Sequence, residues 1–176
     1  MNELVQAQLS AITEVLHAAK TLGIEIWLRG GWAMDFYLGQ VTRDHEDIDW
    51  FVWQKDLPGI SGLLISRDWV DLARHPLDQQ RDLFRDGVEL GFAPLARTDC
   101  GDVVVGGGPF MGEPWPKNMI VNSLFGELEG IRCPIISPES QIEIKRMMPV
   151  WVPGFRRRDK DILDIARLES ALHRPQ

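Results

Sequence analysis

Apolar residues recur at Val5, Leu9, Ile12, Leu16 and Ala19. Steps of three and four residues place them on one helical stripe. The pattern therefore predicts an amphipathic helix over 3–22, stopped by Gly23. Ile24 to Leu28 is a short, mainly apolar run that suits a strand, and Gly30-Gly31 breaks it. A short helix is expected over 32–38, ended by Gly39. Ile48 to Trp53 is apolar except for Asp49, as in a strand covered on both faces.

Leu57 to Ser66 reads as a helix and Trp69 to Ala73 as a strand. Asp86-Gly87 is a tight-turn dipeptide between Asp82–Arg85 and Val88–Phe92, which predicts a hairpin. A second turn at Asp99-Cys100-Gly101-Asp102 leads into Val103-Val104-Val105. Residues 106–118 carry four glycines and three prolines and read as a loop. Two short strands around Gly130 are expected within Leu124 to Ile136. Ser137-Pro138-Glu139 is a helix start, with serine as N-cap and proline in the first turn. That helix should end near Met148, before Pro149, and a last one should cover 158–172. The order αβαβαβββ followed by two helices argues an α/β or α+β fold. We expect a core over 1–136 and a C-terminal helical segment, 137–176, packed on it.

Composition narrows the function classes. The net charge is −7 and the pI about 5.1, so no broad basic surface for nucleic acid is expected. Arg156-Arg157-Arg158 with Lys160 is the clearest basic cluster, and it can equally offset nearby acids. Cys100 and Cys133 show neither zinc spacing nor the density of a disulfide scaffold, which suits a reduced, cytoplasmic protein. No apolar run is long enough to span a bilayer, and no secretory leader is visible.

Asp47 and Asp49 are the strongest chemical feature. Residues i and i+2 of a strand share a face, so two carboxylates would project together from an otherwise apolar strand. Such a pair calls for a positive partner, and hard oxygen donors suit magnesium with phosphate and water. The plainer alternative is a strand edge with two solvated aspartates. Gly30-Gly31 adds weight to the first, because glycines before a helix let backbone N–H groups approach an anion.

The run Leu28-Arg29-Gly30-Gly31-Trp32-Ala33-Met34-Asp35, then Gly39, then Thr42-Arg43-Asp44-His45-Glu46-Asp47-Ile48-Asp49 closely resembles the aminoglycoside and lincosamide nucleotidyltransferases. These belong to the DNA polymerase beta-like nucleotidyltransferase superfamily. The specific match covers about residues 25–53, with a looser likeness around 88–92, 137–145 and 160–161. The resemblance implies a mixed sheet with flanking helices. It also implies magnesium-dependent transfer, with two ions, of a nucleoside monophosphate (AMP the expected one) from a nucleoside triphosphate to a hydroxyl. The acceptor would be a small molecule such as an aminoglycoside or lincosamide.

In that scheme Asp47 and Asp49 ligate metal, and Gly30-Gly31 holds the β- and γ-phosphates. Glu89 is the candidate third carboxylate, as ligand or base, although aspartate is commoner at that place; Asp99 and Asp102 are fallbacks that look like turn residues. Arg43, Lys145 and Lys160 are candidate triphosphate contacts. For Arg43 the alternative is an ion pair with Asp44 or Glu46, and for the helical lysines simple solvation. His45 is expected to brace the loop. Of seven tryptophans, Trp27, Trp32, Trp50 and Trp53 belong to the expected core. Trp115 and Trp151, beside prolines, line an acceptor pocket or else cap the sheet. A homodimer completing the pocket is a further expectation from the resemblance. Two other readings stay open: nucleotidylation of a protein or RNA, as in minimal toxin–antitoxin nucleotidyltransferases, and nucleotide binding without catalysis.

Overall fold

The computed structural model describes residues 2–121 and 124–173. Helix α1 (Glu3–Leu22) starts where Asn2 Oδ1 accepts from the Val5 N–H at 2.8 Å and stops at Gly23, whose φ of 65° lets its N–H reach the last carbonyls. Strand β1 (Ile26–Arg29) runs directly into α2 (Gly30–Leu38), which Gly39 ends in the same left-handed manner. Then come β2 (Ile48–Trp53), α3 (Leu57–Ile65), and a two-residue β3 (Val70–Asp71). Strands β4 (Arg81–Arg85) and β5 (Val88–Arg97) form the hairpin around Asp86-Gly87, and β6 is Val103–Val105. The small hairpin β7 (Phe125–Leu128) and β8 (Ile131–Pro134) precedes α4 (Pro138–Trp151) and α5 (Asp159–Leu172).

The main sheet has the order β1-β2-β5-β4-β3, with β6 on the far end of β5. β2 and β5 are parallel and the other pairs antiparallel, so the sheet is mixed, as expected. Ile48, Trp50 and Val52 point to one face and pack with Ile12 and Val15 of α1, Ile60 and Leu64 of α3, and Leu83, Leu90 and Phe92 of the hairpin. The opposite face is divided. At one end Trp27, Phe51 and Leu95 form a second apolar cluster with Met119 and Ile136. At the other end lie Asp49 and its neighbours. Helices α4 and α5 pack on each other and on α2 through Met34, Ile142 and Leu168.

Three details differ from the sequence reading. Helix α4 continues past Pro149 to Trp151, because proline removes only one donor and the Val152 N–H still closes on Met148 O at 3.0 Å. Strand β3 is shorter than 69–73, since Trp69 turns inward to be buried and Ala73 takes a left-handed φ of 50°. Asp47 sits one residue ahead of β2 rather than inside it. Trp115 packs edge-on against Phe51, 5.0 Å between ring centres, which makes it part of the second cluster. Among the described residues no helix is long and apolar enough to cross a membrane. Both cysteines are free, Cys133 buried and Cys100 exposed.

Candidate active site

The site begins with cross-strand register. Asp49 pairs with Arg29 on β1 and with Gly91 on β5, and Gly91 pairs in turn with Asp82 on β4. Paired residues share a face, so Arg29, Asp49, Gly91 and Asp82 form one row across four strands. Ile48 pairs with Leu90, so Asp47 and Glu89 stand at the next row, at the edge of the same face.

The N-terminus of α2 abuts this acidic surface. No side chain caps that helix, so its first N–H groups are left to other partners. Gly30 has a φ of 70°, and a Cβ there would lie 3.1 Å from Asp49 Oδ2. Gly31 has another reason to be glycine. A Cβ would come 2.5 Å from His45 Cε1, closer still to Nδ1, and 2.6 Å from Arg43 Nη2.

His45 is buried and braced as expected. Its Nε2 lies 2.6 Å from Asp35 Oδ2, its Nδ1 is 3.0 Å from Arg43 Nη1, and its ring lies 4.7 Å from that of Trp32. Asp35, wholly buried, also accepts from the Thr42 N–H and hydroxyl. This network ties the loop carrying Asp47 to α2.

The three candidate cations separate. Arg43 and Lys145 both bond Asp164, a fully buried carboxylate on α5, with Arg43 Nη2 and Lys145 Nζ each 2.9 Å from Oδ2. Burial opposes ionisation of Asp164, but the bonds and charges of Arg43 and Lys145 outweigh it and hold its pKa below the usual carboxylate value. These three side chains knit α4 and α5 to the active-site loop. Lys160 instead lies 3.3 Å from exposed Glu46, and its charge favours ionisation of Asp47.

Asp47 keeps contact with solvent, yet crowding by surrounding atoms and, next, the charge of Asp49 raise its pKa. Lys160 opposes this rise, while Glu89 and Glu46 add to it. Glu89 is held by Arg74, its Oε1 against Nη1 and its Oε2 3.1 Å from Nη2. Among the described residues no three His, Cys, Asp or Glu side chains converge closely enough to hold a metal ion as they stand. The donor set nevertheless fits a hard divalent cation: mutually repelling carboxylates, with the side-chain-free Gly30 against Asp49.

A model of the aminoglycoside-2''-adenylyltransferases matches residues 11–168. The chain belongs to that family. The 2''-aminoglycoside nucleotidyltransferases of Klebsiella pneumoniae and Escherichia coli are each 48% identical to it over 42 residues. Those alignments span 24% of this chain and 24% of each relative, so the chain is matched over about a quarter of its curated relatives' length. Among solved structures, ANT(2'')-Ia in complex with adenylyl-2''-tobramycin superposes with a TM-score of 0.75 at 22% identity, over 94% of this chain and 90% of that one. The lincosamide antibiotic adenylyltransferase LnuA, lincomycin-bound, gives 0.67 at 20%, over 90% and 94%. At these identities the likeness is one of fold.

Within this adenylyltransferase fold, five residues of the site and its frame were not singled out by sequence. Arg29 lies beside Asp49, with its guanidinium carbon 4.7 Å from the Phe51 ring centre. Arg74 grips Glu89, Asp82 faces Asp49, and Asp35 and Asp164 anchor the frame. Only the Asp82–Gly91 pairing was within reach, by counting back from the two-residue turn at Asp86-Gly87.

Proposed function

We propose that this protein transfers AMP from ATP to a hydroxyl of a small polycationic acceptor of the aminoglycoside type. The single observation carrying the reading is the pair Asp47 and Asp49, presented beside the uncapped, glycine-bearing start of α2. Family membership supplies the adenylyl group. The net charge of −7 suits a cationic acceptor, since an acidic cleft raises the local concentration of such a ligand.

The acceptor oxygen attacks the α-phosphorus, the bond to the β-phosphate oxygen breaks, and pyrophosphate leaves. Asp47 and Asp49 would hold magnesium, which neutralises charge on the attacking and leaving oxygens when bound. The N–H groups of Gly30 and Gly31 orient the β- and γ-phosphates. Lys160, close to Asp47, is the cation best placed to meet the triphosphate. Glu89 is available as base or further ligand once Arg74 releases it, and takes the hydroxyl proton. Two ions and a homodimer remain part of this proposal. Metal titration and light scattering in solution read them directly.

The test is incubation with magnesium, labelled ATP and a panel of aminoglycosides and lincosamides. Label transfer to an aminoglycoside, with pyrophosphate released in equal amount, is the expected result. A folded protein that labels no hydroxylated acceptor would sink the proposal.

A further inference from the structure

We infer that Asp82, on β4, supplies a carboxylate to the cation site facing Asp49, across Gly91, with the Gln80 amide giving way to the ion. The inference rests on the cation-dependent reading of Asp47 and Asp49 given above, and it names a ligand which that reading does not contain.

The geometry comes from three adjacent strands. Gly91 pairs with Asp49 on one side and Asp82 on the other, so both aspartates flank one residue that has no side chain. A Cβ on Gly91 would lie 2.9 Å from Asp49 Oδ1, 3.3 Å from Gln80 Nε2 and 3.5 Å from Asp82 Oδ1, so the Gln80 amide stands as a donor where a cation would sit. Both oxygens therefore border the same small volume, no more than about 6.4 Å apart. Any larger residue at 91 would stand between them.

Asp82 is also poorly served by its own surroundings. It is only 4% exposed, and a buried carboxylate needs several donors. Oδ1 accepts from Gln80 Nε2 at 2.7 Å. The partners of Oδ2 among the described residues are longer ion pairs, His75 Nε2 at 3.6 Å and Arg74 Nη1 at 3.9 Å. Glu89 differs, because Arg74 engages both of its oxygens. Of the acidic side chains on β4 and β5, Asp82 is the one with an oxygen, Oδ2, that no close donor engages. Arg74 shows that this surface already attracts a positive group between β4 and β5.

Binding of Mn2+ in the presence of a non-hydrolysable ATP analogue, followed by the electron paramagnetic resonance signal of free Mn2+, tests the inference without using turnover. Wild type is compared with Asp49→Asn, Asp82→Asn, Glu89→Gln and Gly91→Ala, each checked for folding by its melting curve. Asp82→Asn and Asp49→Asn should each weaken Mn2+ binding at least tenfold, and by more than Glu89→Gln. Gly91→Ala keeps every carboxylate but fills the shared space, and should also weaken binding. It therefore stands in for Asp82→Asn should that variant fail to fold. Wild-type Mn2+ affinity in folded Asp82→Asn or in Gly91→Ala, with Asp49→Asn impaired, overturns the role of Asp82 and leaves the cation site standing. Wild-type affinity in Asp49→Asn overturns the cation site itself.

Discussion

Gly31→Ala separates packing from phosphate binding at the start of α2. The new methyl would fall 2.5 Å from His45 Cε1 and 2.6 Å from Arg43 Nη2. Arg43 is the end of a long side chain, but Asp164 holds it at 2.9 Å. The His45 ring cannot swing aside without losing Asp35 at 2.6 Å and its contact with Trp32. Overpacking costs about 1–3 kcal/mol, and loss of a hydrogen bond to a charged group about 1.5–3 kcal/mol. Alanine recovers up to about 1 kcal/mol of helix propensity. A net destabilisation of about 1.5–5 kcal/mol follows, or a fall in Tm of roughly 3–20 °C for a chain of this length. Urea and thermal unfolding measure it. In the double variant with His45→Ala the clashing ring is gone and only the Arg43 contact remains, so Gly31→Ala should then cost less, with a coupling of about 2 kcal/mol. A single variant that melts within a degree of wild type, or a double variant whose losses simply add, would refute the steric argument. Normal stability with lost nucleotide binding would assign Gly31 to the phosphate instead.

Asp164→Ala leaves Arg43 and Lys145 without their shared acceptor and should cost about 3–5 kcal/mol in urea unfolding. The folded pKa of Asp164 lies below its unfolded value of about 3.9. Its contribution is therefore complete above that value and lost as pH falls through the folded pKa; Asp164→Asn should flatten the acid limb of stability below about pH 4. Asp47→Asn should reduce transfer by about 10²–10³-fold or more while melting at or above wild type. Crowding and the charge of Asp49 disfavour the Asp47 carboxylate in the metal-free fold, and the amide removes that repulsion. Asp49→Asn should lose transfer to the same degree without unfolding, measured by labelled-ATP turnover beside a melting curve.

What could be read from the chain was whatever neighbouring residues encode together. The stripe of α1, the Asp86-Gly87 hairpin, the helix start at Ser137 and the Asp47–Asp49 spacing are all local patterns, and the first three reappear with bounds within a few residues. The boundary at Pro149 was misread because proline's missing donor was weighed against a whole helix end rather than one bond. Arg43, Lys145 and Asp164 are separated by 19 to 121 positions. Nothing short of the packed α4–α5 pair could show that two expected phosphate ligands share a buried acid.

The third carboxylate is the sharper case. Glu89 was visible because an acidic residue alternating with Val88 and Leu90 reads as one face of a strand. Glycine at 91 carries no such signal, since its contribution is a space and not a group. Half of that space could be derived, because a two-residue turn pairs Asp82 with Gly91 by counting alone. The other half is the parallel register of β2 on β5, which depends on how the intervening α3, β3 and β4 pack and has no local code. Only when both registers are joined does Asp49 meet Asp82 over Gly91, and the acidic face then extends from Asp47, just ahead of β2, and Asp49 on β2 to the neighbouring hairpin. A substitution at Gly91 should therefore disturb cation binding more than its size suggests, because it acts on two carboxylates from two different strands at once.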